Sequence, residues 1–369
     1  MRNTTALRSA VIGGIVVALA AGCTAAPGSD PGASGPDEPT FVDGKLVPLN
    51  SGFPSGPLQI IVVDEAGSDD GIYARQFAEV AAKYTDAEIR VLDRPEFGST
   101  YGAWEALDWA SQQRNGDQGN VVVVATLPGS TIDLLTTPVG EELGASIETL
   151  NTVLLTESVP YIITSRADAP WGTSFADMLE YAADNPGEVR YISRGPGAGP
   201  DLAMSNYSDL AGVEFNTSVG GSHAEINTAL GAGAGDIAVT LPGAAAPFIE
   251  DGKVVMLTCT GNENPCAANF GDEVPNAASV IGGIDNDPWG SNRGLIAPTD
   301  IPETHHAWLV ALMTAVVEDP DFIEARTSIP GVGVVTLDKA GAVELQEAAY
   351  EVAFDILDRL GQIHPSVER

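Results

Sequence analysis

Short apolar runs rich in β-branched residues alternate along this chain with stretches whose large apolar residues recur every three or four positions. Leu58 to Val63 is the first such run and predicts a buried strand. A polar turn follows, Asp64-Glu65-Ala66-Gly67-Ser68-Asp69-Asp70-Gly71, and then Tyr73, Phe77, Val80 and Tyr84 stand at helical spacing. Glu88 to Leu92 predicts a second strand, Trp104, Leu107 and Trp109 a helix, and Val121 to Ala125 a third strand without a charge. Buried strands that lack polar alternation, each followed by a helix, predict a parallel sheet covered by helices.

The alternation continues beyond Pro160. Thr152 to Leu155 and Tyr161 to Thr164 read as strands on either side of that proline. Ser174 to Asn185 reads as a capped helix stopped by Pro186-Gly187. Val189 to Ile192 is a strand, and the glycine-rich loop Ser193 to Pro200 leads into a helix from Asp201. Ser222 and Glu225 form a second capping box, at the head of a helix that runs to Gly231. Asp236 to Val239 and Val254 to Thr258 are strands around a helix opened by Pro242. Helices follow Gly294 to Pro298, the last from about Asp338 to Leu360 with Val343, Ala349, Val352, Ile356 and Leu360 as its apolar stripe.

The N-terminus departs from this pattern. Arg2 and Arg8 precede a short apolar stretch, Val11 to Ala21, too short for a span of roughly 20 apolar residues. Leu19-Ala20-Ala21-Gly22-Cys23 resembles a bacterial lipobox, so residues 1–22 are expected to be a lipoprotein signal peptide and Cys23 the lipidated mature N-terminus; a plain secretory signal is the alternative. Residues 23–50 are rich in Pro, Gly, Ser and Asp and read as a flexible tether reaching roughly 30 Å.

Charge narrows the function. The 369 residues carry 51 acidic against 17 basic side chains, a formal net charge of −34. Nucleic acid and anionic lipid surfaces demand clustered Lys and Arg, so neither is an expected partner. Export implies an oxidising compartment, and Cys259 and Cys266 enclose a loop of turn residues, which predicts a disulfide. A metal pair is the weaker reading, because the four His are scattered.

Enzyme templates fail in detail. Gly220-Gly221-Ser222-His223-Ala224 lacks the final glycine of a nucleophile elbow, and Ser222 reads better as a helix cap. Adjacent His305 and His306 point about 100° apart on a helix and cannot share one metal. Gly195-Pro196-Gly197-Ala198-Gly199 misses the dinucleotide fingerprint by one position, and Asp69 stands where a calcium loop needs glycine. No cofactor is expected. What remains is a set of Gly-, Ser- and Thr-rich loops at strand C-termini, each leading into a helix whose free N–H groups can bind an anion.

Taken in order, these loops resemble the extracytoplasmic solute-binding proteins of tripartite tricarboxylate transporters, the Bug/TctC family. The likeness covers most of residues 57 to 360. It runs through Asp64 to Arg75, Arg94-Pro95 with Gly98 and Gly102, and Asn185-Pro186-Gly187. It continues through Gly195 and Gly197 with Leu202-Ala203, Gly252-Lys253, and Gly294 to Pro298. The resemblance implies a two-lobed α/β clamshell of the periplasmic-binding-protein kind, each lobe a sheet flanked by helices. Lobe I would hold residues 51–159 and 259–369, with a helical C-terminus, and lobe II residues 160–258. It implies a non-catalytic receptor, a monomer, that delivers a small carboxylate to a membrane permease. A sensor for a signalling partner and an exported hydrolase are the alternatives. The ligand would be lined by Ala66, Gly67, Ser68, Asp70 and Thr126 from one side and Gly195, Gly197, Ala198 and Ser222 from the other.

Two departures from the family pattern bear on the ligand. Asp69 and Asp70 replace small turn residues, so either they turn outward or the ligand is neutral, zwitterionic or cationic. Asn292-Arg293 precedes Gly294, and Arg293 is the candidate to grip a carboxylate bidentately, unless it pairs with one of the many acids.

Overall fold

The computed structural model describes residues 36–98, 101–113, 118–195, 197–261, 274–285 and 287–367. Cys23 and the signal segment therefore lie outside the described residues. A hairpin of β1 (Phe41–Val42) and β2 (Lys45–Leu46) opens the described chain. Leu46 and Leu49 are buried in the first core, and Trp308 donates to the Val47 carbonyl at 2.9 Å. The expected tether is thus corrected over its C-terminal part: the few large apolar residues there are enough to anchor the chain.

The first sheet has six strands in the order β13-β6-β12-β5-β3-β4. These are β3 (Leu58–Val62), β4 (Ile89–Asp93), β5 (Val121–Leu127), β6 (Asn151–Val159), β12 (Ser291–Ala297) and β13 (Gly333–Leu337). The second sheet has five strands, ordered β11-β7-β10-β8-β9: β7 (Ile162–Arg166), β8 (Arg190–Ser193), β9 (Asn216–Val219), β10 (Ile237–Thr240) and β11 (Val254–Cys259). Each sheet anchors one lobe. The sheets are mixed, which corrects the parallel expectation. Strands joined by helical crossovers pair in parallel, β3 with β4 and β5, and β8 with β9 and β10. Strands β7, β11 and β12, next to the passages between sheets, pair antiparallel with their neighbours.

Helices α1 (Asp69–Ala81), α2 (Pro95–Gly98), α3 (Ala103–Ser111), α4 (Gly129–Thr136) and α5 (Val139–Leu143) follow the early strands. Helices α6 (Phe175–Asp184), α7 (Gly199–Ala211), α8 (His223–Gly231), α9 (Pro242–Glu250) and α10 (Ala277–Ile281) belong to the middle of the chain, and α11 (Glu303–Val317), α12 (Pro320–Thr327) and α13 (Lys339–Leu360) to its end. Both faces of β5 are covered. Val122 and Val124 pack in one cluster with Phe77 and Leu312, while Val121 and Val123 pack in another with Trp104 and Leu107. Each such buried side chain contributes about 1.5–3 kcal/mol.

The chain passes to the second sheet at Pro160 and returns after Cys259. The two passages are stitched together: Tyr161 N–H donates to Thr260 Oγ1, and Thr260 N–H to the Tyr161 carbonyl, each at 2.9 Å. The C-terminal helix does not simply return to the first lobe as expected. Its Ala342 joins a core of the first sheet, whereas Ala353, Ile356 and Leu357 pack with Phe175, Leu202 and Tyr207 of the second. Cys259 is a free, buried cysteine, and Cys266 lies outside the described residues, so the expected disulfide is not formed in the structure. No helix of the described residues is long and apolar enough to cross a membrane.

Candidate functional site

Strands β3, β5, β8, β9 and β10 all end towards one open cleft of about 800 Å³. The helices that follow them, α1, α4, α7, α8 and α9, begin there: Ser68 and Asp69, Gly129, Gly199, Ser222 and Leu241 lie on its wall. Each helix start carries about half a positive charge from its unpaired N–H groups. Five of them aimed at one space make an anion-attracting field without a lysine.

Several predicted residues meet in this cleft: Ser68, Asp70, Thr126, Gly197, Ala198, Ser222 and Arg293. Ala66 and Gly67 are exposed on the same loop as Ser68 but do not line the wall, and Gly195 lies beside Val219 instead. Two of the polar residues already have local duties. Ser68 Oγ accepts from Gly71 N–H at 3.1 Å as the cap of α1. Ser222 Oγ caps α8, accepting from Glu225 N–H at 3.3 Å and donating to Glu225 Oε2 at 2.8 Å. The neighbouring His223 shares a hydrogen bond with Thr240 Oγ1 at 3.2 Å. Burial, reinforced by the charge of Arg194, pushes its imidazole down to about 3, so it stays neutral. Ser222 and His223 therefore do not form a nucleophile–base pair.

Arg293 differs most from its expected role. It stands opposite Glu157 across the β12–β6 pair, where a register shift between Arg293 and Gly294 re-aims the side chain. A Cβ at Gly294 would lie 2.1 Å from the Leu154 carbonyl, so only glycine fits that bulge. Arg293 Nε donates to Asp70 Oδ1 at 2.5 Å, and Nη1 donates to Glu157 Oε1. The other oxygen of Glu157 accepts from Arg326 Nε at 2.7 Å, and Arg326 Nη1 donates to Gln76 Oε1 at 2.6 Å. Both guanidiniums lie within 6 Å of the Tyr73 ring centre. Burial alone would lower the Arg293 pKa, but the flanking carboxylates of Asp70 and Glu157 raise it overall. The cation expected to meet the ligand is thus compensated within the protein. Asp70 points inward to do this, while Asp69 is exposed on the cleft wall.

The cleft also holds residues that sequence reasoning passed over. Tyr161, at the first passage between the lobes, is buried and lines the wall, and burial pushes its hydroxyl up to about 12, against the opposing charge of Arg194. Asp133 on α4 is raised to about 7 by burial. The Asp64 carboxyl is held above its usual value, first by burial and next by the charge of Asp70. Arg194 is exposed at the start of the glycine-rich loop and has no ion-pair partner among the described residues. Proximity to Pro160 was the signal for Tyr161. For Asp133 there was none, because α4 follows its strand with only Pro128 between them and carries no apolar stripe long enough to read.

Two α/β lobes joined by a double passage, with helix starts converging on the cleft at their strand ends, define a periplasmic-binding-protein-like solute receptor fold. The chain belongs to the tripartite tricarboxylate transporter receptor family, whose family model matches residues 131–349. A relative from Cupriavidus necator, the UPF0065 protein in the gbd 5' region, is 25% identical over 248 residues, 67% of this chain and 70% of its own. A TctC solute-binding protein from Polaromonas superposes with a TM-score of 0.68 at 22% identity, covering 83% of this chain and 99% of that one. A Rhodopseudomonas palustris protein, Rpa4515, solved with adipate, superposes with a TM-score of 0.64 at 18% identity, covering 84% and 98%.

Proposed function

We propose that this protein is an extracytoplasmic receptor that captures a small organic acid between its lobes and delivers it to a tripartite tricarboxylate-type membrane permease. The observation that carries this reading is the convergence of five helix N-termini on one cleft, which favours a carboxylate. Family membership supports the receptor role, and the adipate held by the Rpa4515 relative supports the ligand class. Ser68, Thr126, Gly197 and Ala198 approach the ligand, and Gly197 permits a close backbone approach at a φ of +80°. Closure of the lobes on the solute creates the shape that the permease recognises. Cys23 carries a lipid that holds the receptor at the outer face of the membrane.

A thermal-shift screen of mono-, di- and tricarboxylates and amino acids tests the reading. A ligand at 100 times its dissociation constant stabilises by about 2.7 kcal/mol. For a fold of roughly 330 residues this raises the melting temperature by about 4 °C. No shift from any acid overturns the proposal.

A further inference from the structure

We propose that the solute held in this cleft carries a cationic nitrogen as well as a carboxylate, an amine-bearing acid rather than a plain di- or tricarboxylate. This rests on the reading that the cleft holds an organic acid, and it names the class of acid.

The two walls of the cleft differ in charge. Arg293, Asp70, Glu157 and Arg326 form a closed set of two cations and two anions, joined by the hydrogen bonds already described. Removing that neutral set leaves Asp64, Glu65 and Asp69 on the cleft wall, with Asp133 partly ionised near neutral pH, against Arg194 alone. The distribution is polar. The acidic groups come from the β3–α1 loop, the start of α1 and α4, whereas Arg194 and the starts of α7, α8 and α9 come from the second lobe. A carboxylate is therefore drawn to the second-lobe side, and a second carboxylate on the same ligand would face an excess of acids, even with Arg194 and Arg293 acting on Asp64. An ammonium in that position meets opposite charge instead.

An independent observation also points to a ligand here. Tyr161 is only 8% exposed, yet its hydroxyl has no hydrogen-bond partner among the described residues. It lies 2.8 Å from the position that a Cβ on Gly199 would take, at the start of α7. The hydroxyl is not among the buried polar atoms cut off from water, so it opens into the cleft, where a polar group of the solute can pair with it. The missing positive charge comes with the solute rather than with a resident metal, since no three carboxylate, His or Cys side chains among the described residues are grouped to hold an ion.

Calorimetry on the full chain with matched pairs tests this: diacids of four to seven carbons, adipate among them, against the ω-amino acids of the same length and lysine. The expected result is that the best amine-bearing acid binds at least tenfold more tightly than its matched diacid. Asp64→Asn with Asp69→Asn should close that gap about tenfold, and Asp133→Asn should narrow it independently of the loop. Equal or tighter binding of the diacid, with or without added calcium, overturns the inference and leaves the organic-acid reading standing. Failure of every acid to bind overturns both. A gap that persists in both sets of variants shows that these carboxylates do not select the amine and overturns the assignment.

Discussion

Glu157 is fully buried between two arginines, and its replacement by glutamine gives a sharp stability prediction. Its side chain is 0% exposed, with those of Arg293 and Arg326 at 6% and 2%. Glu157→Gln keeps the shape but removes the charge. Arg293 then retains Asp70, whereas Arg326 retains only the neutral Gln76 oxygen. Removing one partner of a buried ion pair costs about 3–5 kcal/mol, because the other charge is left uncompensated. With an unfolding entropy of about 2.1 cal/mol/K per residue over roughly 330 residues, the melting temperature should fall by about 4–7 °C. Differential scanning calorimetry of the purified variant measures this. The companion Glu157→Leu with Arg326→Met removes a cation and an anion together, and should recover most of the loss. A single variant that melts within about 1 °C of the parent, or a double variant no better than the single, refutes the reasoning.

Three further outcomes follow from named residues. Burial raises Asp133 to about 7 from an ordinary value near 3.8, so ionising it opposes folding. Its contribution is intact below about pH 4, where both states hold the proton, and is lost as pH rises through 7; Asp133→Asn should melt above the parent at pH 8 and match it near pH 4, and a constant gap in pH-dependent melting contradicts this. Gly197→Val places a branched side chain at a φ of +80°, with its Cβ 3.6 Å from Thr136 Cγ2 of α4. It should cost about 1–2 kcal/mol and weaken solute binding at least tenfold by calorimetry, and parental affinity would place the ligand elsewhere. Cys23→Ser should move the exported protein from the detergent phase to the aqueous phase and abolish the lipid mass, and an unchanged partition would show that Cys23 is not the anchor.

The apolar runs made most of the fold legible, because strands such as Val121–Leu127 are covered on both faces and declare themselves by composition. Strand β9 was not legible: its residues Asn216–Val219 are all exposed at a sheet edge, so burial left no mark on them. Strand β12 was not legible as a strand, since Asn292, Arg293 and Gly294 break its apolar run for the sake of the bulge and the ion pair. The C-terminal helix was visible, but not its division between two cores, because one apolar stripe does not say which partner covers each turn. At the site, the glycines and caps were legible from local chemistry. The pairing of Arg293 with Asp70 and Glu157 joins positions 223 and 136 residues apart, and only the sheet register brings them together. Charge counting foresaw an acidic obstacle near the ligand but not that one of its two carboxylates would be neutralised from behind.

The central claim is that a solute is captured between the two lobes, and amide hydrogen exchange with and without the best acid of the thermal screen tests it most directly. Added protection is expected on the walls that face each other alone, residues 64–70 and 126–133 on one side and 194–200 and 222–226 on the other. Protection of one wall alone, or of the surface groove around Glu141, Ser146 and Tyr350 instead, would contradict it.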